Sequence, residues 1–248
     1  MQASITVKGL WSEYRRDKLR AELRGDWAVA IFYRLPSMFL IVPLARLGVA
    51  PVAVTVAALA LALAMLPAAF LPSVPLAGMV VVCLALAFQV LDCVDGGLAR
   101  AIGGTSIRGA TFDFLVDMLQ WGMLYASIGI LADRAGDGGA FWSAIGLAAA
   151  WNRLFARVVR DAGERVRVDA GASGSGTSIG TAAGRISLAS LTLAALAGLS
   201  GLIPLLLALA LATGHLAALT LFLLVYGLAD IAEGLTGVLA TGRDNGPR

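Results

Sequence analysis

The stretch that decides the fold is a run of 44 residues without a formal charge, ISLASLTLAALAGLSGLIPLLLALALATGHLAALTLFLLVYGLA, from Ile186 to Ala229. A single helix of that length would extend about 66 Å, whereas the hydrocarbon core of a bilayer is about 30 Å thick. The run therefore predicts two membrane helices, joined by a turn at the Thr-Gly-His sequence of residues 213–215.

The rest of the chain has the same apolar character. Of its 248 residues, 59% are hydrophobic and 14% are charged, whereas about 25% are charged in soluble domains. This composition argues against a soluble enzyme and against a disordered protein. Each crossing needs about 20 apolar residues, and further spans are predicted at 52–71, 76–100, 109–132 and 139–160. The expected fold is an all-α polytopic membrane protein with six transmembrane helices.

Lysine and arginine residues predict the orientation. With the N-terminus in the cytoplasm, 18 of the 19 fall on the cytoplasmic side of the six spans, and only Arg134 does not. This distribution follows the positive-inside rule. We expect an integral protein of the inner, or cytoplasmic, membrane with both termini facing the cytoplasm. Its parts would be an N-terminal segment 1–51, a transmembrane domain 52–240 and a tail 241–248.

The N-terminal segment is predicted to lie on the membrane surface. Residues 10–24, LWSEYRRDKLRAELR, have the pattern of one amphipathic helix, with Leu19 and Leu23 one turn apart and basic side chains on the other surface. Such helices bind anionic lipid. Residues 28–48 are apolar but contain two arginines and two prolines, so we expect a second interfacial helix. Lipid headgroups account for the pI of about 9.2, and no nucleic-acid partner is expected.

Four aspartates interrupt the apolar pattern between the second and third predicted spans, within residues 91–117, LDCVDGGLARAIGGTSIRGATFDFLVD. Asp92 and Asp95 share one helix face at i and i+3, and Asp113 and Asp117 share another at i and i+4. A charge within the hydrocarbon costs at least about 2.5–3.5 kcal/mol on insertion scales. Four such charges so close together therefore need compensation.

A short turn would bring these two helices together as antiparallel neighbours. Gly103 and Gly104 are expected to end the first helix, and Thr105 or Ser106 to cap the second. The four carboxylates would then converge, and converging carboxylates repel unless a cation lies among them. A set of oxygen ligands suits Mg²⁺ or Mn²⁺.

The neighbouring residues suggest a phosphate beside this metal. Gly96 and Gly109 carry no side chain, so a bulky group can approach the backbone, and Arg100 adds a fixed positive charge. A divalent ion on carboxylates beside an arginine is typical of phosphoryl transfer. The alternative, helix caps and surface ion pairs, is disfavoured because only Arg100 and Arg108 are near enough to pair with the acids.

Residues 92–117, about a tenth of the chain, follow the pattern Asp92-x2-Asp95-Gly96-x2-Ala99-Arg100-x8-Gly109-x3-Asp113-x3-Asp117. This pattern resembles the signature of the CDP-alcohol phosphatidyltransferases. In that family a CDP-linked lipid or alcohol donates its phosphate-bearing group to the hydroxyl of a second alcohol and releases CMP. The six-span layout and the interfacial N-terminal helix are also similar to the family. Members often carry Pro-Asn ahead of a Thr where the first span begins, whereas residues 51–55 are Pro-Val-Ala-Val-Thr.

The resemblance implies a role for each matching residue. Asp92, Asp95 and Asp113 would hold two Mg²⁺ or Mn²⁺ ions, and Asp117 would share the second ion and act as general base. The residues that would bind the CDP part are Thr55, Gly96, Ala99, Arg100, Ser106 and Gly109. The resemblance also implies a CDP-linked lipid such as CDP-diacylglycerol as donor, and a homodimer.

The acceptor alcohol is open between two chemical classes. Four arginines lie near the cytoplasmic ends of the fourth and fifth spans: Arg153, Arg157, Arg160 and Arg185. They would hold the phosphate of an acceptor such as inositol phosphate or glycerol phosphate, or they would only anchor the helices in the membrane. Asp230 and Glu233, three residues apart in the last span, would instead bind a cationic acceptor such as choline or ethanolamine, pair with the arginines or cap the bundle.

A membrane cation transporter is the alternative from another class, because aspartates within the membrane also bind transported ions. Transporters usually contain inverted repeats with broken helices at the midplane. The sequence has no internal repeat, and its acids lie at a helix end beside an arginine. We therefore favour an enzyme of phospholipid biosynthesis, with 52–240 as its catalytic domain and its active site facing the cytoplasm.

Overall fold

The computed structural model describes residues 5–136, 138–169 and 198–243. All regular secondary structure in these ranges is helical. The helices are α1 Val7–Asp17, α2 Leu19–Gly25, α3 Trp27–Phe32, α4 Arg34–Arg46, α5 Pro51–Ala68, α6 Val74–Ala101, α7 Ile107–Ala135, α8 Phe141–Asp169, α9 Ile203–Thr213 and α10 Leu216–Arg243, with a 3₁₀ turn at Leu199–Leu202 before α9. Arg185 and the first part of the fifth predicted span lie outside the described residues.

Four helices are long and apolar enough to cross a membrane, namely α5, α6, α7 and residues Leu216–Thr236 of α10. This supports the predicted membrane location and the first three predicted spans. Helix α8 forms where the fourth span is predicted but is not in this set, because its arginines lower the mean hydropathy. The apolar helical segment Leu199–Thr213 is shorter. The count of six spans therefore stays a prediction.

The predicted turn within the long uncharged run is confirmed. Helix α9 ends at Thr213 and α10 begins at Leu216. Gly214 between them has a φ of 73°, a left-handed conformation that favours glycine. The backbone N–H of His215 donates to the carbonyl oxygen of Ala210 at 2.9 Å, which satisfies a carbonyl at the end of α9.

The prediction of one helix over residues 10–24 is wrong, because the chain forms α1 and α2 with a break at Lys18. The break allows the Tyr14 hydroxyl to donate to the Glu22 carboxylate at 2.8 Å, and Tyr14 is buried within the protein. The predicted interfacial helix over residues 28–48 is also divided, into α3 and α4. The placement of these helices on a membrane surface stays a prediction.

The described chain consists of two compact units. Of the described residues, the first comprises 5–65, 82–119 and 198–208, and the second comprises 66–81, 120–136, 138–169 and 209–243. These units do not test the predicted division at residues 51 and 240, which concerns the membrane.

A buried apolar cluster of Ile41, Val54, Val94 and Leu98 joins α4, α5 and α6 in the first unit. Gly97 allows this packing, because a Cβ at that position would lie 2.4 Å from Cδ1 of Ile41. The cluster lies on the same segment of α6 that carries the first two signature aspartates, so it fixes the backbone from which they project.

Close helix packing holds the second unit together. A Cβ at Gly146 of α8 would lie 2.7 Å from the carbonyl oxygen of Tyr125 on α7. Small residues at such contacts let membrane helices approach each other. The Asp133 carboxylate accepts hydrogen bonds from the backbone N–H groups of Trp142 and Ser143, at 2.9 and 2.7 Å, and so caps the start of α8.

Candidate metal centre

The turn between α6 and α7 follows the prediction. Helix α6 ends at Ala101, and Gly103 has a φ of 68°. The backbone N–H of Gly104 donates to the carbonyl oxygen of Ala99 at 2.8 Å. Ser106 caps α7, since its Oγ accepts a hydrogen bond from the backbone N–H of Gly109 at 3.0 Å. The prediction of a cap at Thr105 or Ser106 is therefore resolved in favour of Ser106.

Three of the four signature aspartates converge across this turn. Asp92, Asp113 and Asp117 each present a carboxylate oxygen, and the three atoms all lie within 4.8 Å of one another. All three side chains are partly buried, and those of Asp92 and Asp117 are within hydrogen-bonding distance. The predicted convergence is thus observed for these three residues.

Asp95 occupies a different position beside this trio. It is 4% exposed, contacts Asp113, and accepts a hydrogen bond from the Thr55 hydroxyl at 2.8 Å. Thr55 has only one hydroxyl proton, so in this arrangement it orients Asp95. From the sequence, Thr55 is predicted only as a CDP contact, and the hydrogen bond to Asp95 adds a positioning role.

The donor set fits a hard divalent cation. Carboxylates in contact with one another repel while both are ionised, and a cation among them removes that repulsion. Oxygen ligands on opposite sides of Mg²⁺ lie about 4.2 Å apart, twice the usual bond length of 2.1 Å. An oxygen spread of 4.8 Å closes to that value with side-chain adjustments of less than an ångström. The residues present therefore fit Mg²⁺ or Mn²⁺.

The remaining signature residues border this cluster along the same two helices. A Cβ at Gly96 would lie 3.3 Å from Nη1 of Arg100, so the guanidinium lies back along α6 over Gly96. A Cβ at Gly109 would lie 3.0 Å from Oγ of Ser106, so this glycine gives room to the cap. Ala99 is half-buried and lies one turn after Gly96 on α6, next to Arg100. Their binding of CDP stays a prediction.

A polar network on the N-terminal helices was not predicted from the sequence. The Arg34 guanidinium makes two hydrogen bonds to the Glu22 carboxylate, the one from Nε at 2.9 Å, and Tyr14 donates to the same carboxylate. Arg34 also donates to the carbonyl oxygen of Cys93 at 3.5 Å. Cys93 lies between Asp92 and Asp95, so the network ties the N-terminal helices to the metal-site segment.

Electrostatics strengthen this network. Burial opposes the charge on Glu22, but hydrogen bonds from Arg34 and Tyr14 outweigh it and lower the pKa of Glu22. The sequence signal for the network was Arg34, one of the two arginines in the apolar stretch 28–48, from which an interfacial helix is predicted.

Three of the predicted acceptor arginines, Arg153, Arg157 and Arg160, lie in the described part of the second unit, where two of them bind one acid. Arg153 and Arg160 donate to Oδ2 of Asp230 at 2.6 and 2.5 Å. Arg153 also lies 4.9 Å from the centre of the Trp121 ring. Of the roles considered for Asp230, pairing with these arginines is the one observed. Arg157 lies 3.4 Å from the carboxylate of Asp161, one turn away.

No protein-family model matches the chain, and no curated protein matches it. The assignment of a function therefore rests on the residues of the metal centre and on their spacing.

Proposed function

We propose that this chain is a CDP-alcohol phosphatidyltransferase of phospholipid biosynthesis. The observation that carries the proposal is the convergence of three signature aspartates, whose carboxylate oxygens lie within 4.8 Å of one another. Their donor set suits Mg²⁺ or Mn²⁺, and two such ions are proposed. The metal ligands alone do not specify the substrate, so the CDP-linked donor is inferred from the spacing of the signature residues.

In the proposed reaction the acceptor hydroxyl forms a bond to the donor phosphorus next to the lipid. The bond from that phosphorus to the CMP oxygen breaks in line. Asp92, Asp95 and Asp113 would hold the ions, and Asp117 would take the hydroxyl proton onto its carboxylate. When bound, the metal ions would stabilise negative charge on the diphosphate and the leaving CMP. Arg100 would face the CDP phosphates.

The ion pairs of the second unit argue against a cationic acceptor at Asp230 and Glu233. Asp230 already contacts two arginines, Arg153 and Arg160, so its negative charge is compensated. Glu233 interacts with Arg160 as well, so both acids of the last span face an arginine, and the guanidinium groups are the side chains that suit a phosphate. An acceptor such as inositol phosphate or glycerol phosphate is therefore proposed. Arg157 and Arg185 complete the proposed set.

The proposal includes the membrane arrangement expected from the sequence. Donor and product are lipids, and four apolar helices support a membrane location. We propose a cytoplasmic membrane enzyme with its metal centre on the cytoplasmic side, acting as a homodimer. Cysteine substitution at exposed Thr105 and labelling with an impermeant maleimide in inverted vesicles tests the orientation, and labelling only in right-side-out spheroplasts would contradict it.

The decisive experiment measures CMP release by the purified protein from CDP-diacylglycerol with a panel of acceptor alcohols. We expect release with a phosphorylated polyol, dependent on Mg²⁺ or Mn²⁺. Asp117→Asn should reduce the rate by a factor of about 10²–10⁴, the usual contribution of a general base. Asp26→Asn, a substitution in the short α2–α3 connection, provides a matched control.

Four results would contradict this proposal or parts of it. Full activity in excess chelator would exclude the metal centre, and normal CMP release by Asp117→Asn would exclude the general base. Release with choline or ethanolamine but with no phosphorylated polyol would exclude the proposed acceptor class. Cation flux into vesicles without any CMP release would favour the transporter alternative.

A further inference from the structure

A small cavity lies between the N-terminal helices and the C-terminal end of α6, within the first unit. Its volume is about 130 Å³, room for about four water molecules or for one phosphate group. Three cationic side chains line it, and they come from separate parts of the chain: Lys18 between α1 and α2, Arg34 at the start of α4, and Arg100 near the end of α6. We call it the N-terminal cavity.

The three cations differ in their partners. Arg34 is held by the Glu22 carboxylate, whereas Lys18 and Arg100 form no ion pair within 4 Å in the described part of the chain. The pKa of Lys18 is lowered by burial and by the nearby charges of Arg100 and Arg34. Repulsion between like charges costs stability, and an anion in the cavity would relieve it.

The acids at the cavity do not cancel this charge. Asp17 lines the cavity, but its carboxylate pairs with exposed Arg16 at 2.7 Å. Glu13 also lines it and offsets one of the two cations that lack an ion pair. The N-terminal cavity therefore keeps a net positive charge.

Arg100 connects the cavity to the metal-site segment. It lines the cavity, and its guanidinium lies over Gly96, next to Asp95 in the sequence. Cys93, which lies between Asp92 and Asp95, lines the cavity as well. A group bound in the cavity would therefore lie against the helix turn that carries the first two metal ligands.

We infer that the N-terminal cavity binds a phosphate group, with Lys18 and Arg100 as its ligands and Arg34 as a fixed neighbouring charge. The inference rests on the proposed function for the source of that phosphate, the diphosphate of the CDP-linked donor. The headgroup of an anionic phospholipid carries the same chemistry and is the other source. Lys18 lies outside the signature, so the proposal adds a substrate-binding residue from the N-terminal helices.

The lysine content of the chain permits a direct test. Lys8 and Lys18 are the only lysines, and Lys8 is exposed on α1, so it serves as an internal control. The full-length protein in neutral detergent is treated with an amine-acylating reagent, and modification of each lysine is measured by mass spectrometry. The probes are CDP with Mg²⁺, inorganic pyrophosphate with Mg²⁺, and vesicles of phosphatidylglycerol or of phosphatidylcholine.

We expect CDP and pyrophosphate to slow acylation of Lys18 at least about fivefold relative to Lys8, because a charge-assisted contact would hold the amine of this partly buried residue. Protection by phosphatidylglycerol but not by phosphatidylcholine or CDP would assign the phosphate to a lipid headgroup and would still support the cavity. If none of the probes changes the acylation rate of Lys18 from its rate without a probe, the inference is overturned.

Variants provide the second measurement. Lys18→Gln should weaken CDP binding about tenfold, as expected for loss of one charge-assisted hydrogen bond, and Lys18→Arg should restore part of it. Lys8→Gln should bind CDP as the unmodified protein does. Unchanged CDP affinity in Lys18→Gln, together with no protection of Lys18 by phosphatidylglycerol, would also overturn the inference.

These measurements separate the inference from the proposed function. CMP release with no protection of Lys18 would overturn the cavity and leave the enzyme assignment intact. Protection of Lys18 by pyrophosphate in a protein that releases no CMP would support the cavity and contradict the enzyme assignment.

Discussion

The signature aspartates of α6 and α7 and Asp230 of α10 lie in helices that are apolar enough to cross a membrane, but their partners differ. Asp92 interacts with Asp117, and Asp95 interacts with Asp113, so each of these acids has another acid as its neighbour. Asp230 instead accepts hydrogen bonds from two arginines. The chain therefore contains two kinds of intramembrane acid.

The difference shows how an acidic residue in an apolar helix should be interpreted. An acid with its own arginine is compensated within the protein, so it needs no ligand. Acids that meet one another need a proton or a cation from solution. The contact partner, more than the residue type, thus separates a structural ion pair from a candidate metal site. This distinction underlies the predictions that follow.

The largest expected effect is on metal dependence. Asp92→Asn removes one carboxylate from the converging trio, and we expect at least about a 10³-fold loss of CMP release because metal and substrate are both mispositioned. In the unmodified protein, Mg²⁺ should raise the thermal unfolding temperature, since a ligand that binds the folded state stabilises it. That rise should be absent in Asp92→Asn.

Asp230→Asn provides the contrast for this prediction. It should retain the Mg²⁺-dependent rise in unfolding temperature, because Asp230 is not one of the converging acids. Loss of the rise in Asp230→Asn, or its persistence in Asp92→Asn, would break the distinction between the two kinds of acid.

The second effect is on stability. Asp230 is 8% exposed and Arg153 16% exposed in their side chains, and removing one partner of a buried pair costs about 3–5 kcal/mol. Asp230→Asn should therefore lower the free energy of unfolding in mixed micelles by about 3 kcal/mol. Asp161→Asn, which breaks the exposed pair with Arg157, should cost less than about 0.5 kcal/mol. Similar losses in both variants would contradict the assignment of Asp230 to a buried ion pair.

The acid cluster and its turn could be predicted from the sequence because both depend on local periodicity. Aspartates at i, i+3 and i, i+4 share a helix face whatever the rest of the chain does, and Gly103 and Ser106 end and begin helices by local backbone chemistry.

The Thr55–Asp95 bond and the Arg34–Glu22 pair could not be predicted, since each joins distant parts of the chain. The break at Lys18 was missed for the same reason. It follows from the contact of Tyr14 with Glu22, whereas the amphipathic pattern of residues 10–24 continues through it.

The third effect concerns Thr55, which orients one acid of the cluster. Thr55→Val keeps the shape of the side chain but removes the hydrogen bond to Asp95. Partners that orient metal ligands contribute about 10–100-fold in metal affinity or activity. We expect the Mg²⁺ concentration for half-maximal CMP release to rise about tenfold in Thr55→Val and to stay near normal in Thr55→Ser. If Thr55 instead contacts only the nucleotide, the KM for CDP-diacylglycerol will rise and the Mg²⁺ requirement will not change.

The smallest expected effect concerns Glu22, an acid outside the predicted spans that, like Asp230, pairs with an arginine. Because its pKa is lowered in the folded state, its ionised form stabilises the fold above the unfolded pKa of about 4.3. That contribution is lost as the pH falls through the folded pKa. We expect Glu22→Gln to lower the free energy of unfolding by about 1.5 kcal/mol near pH 7, with a difference from the unmodified protein that shrinks below pH 4. Urea unfolding in mixed micelles at several pH values measures this difference. A difference that stays constant from pH 7 to pH 3 would mean that Glu22 acts through packing, and Asp230 would then be the only acid of the two stabilised by its ion pair.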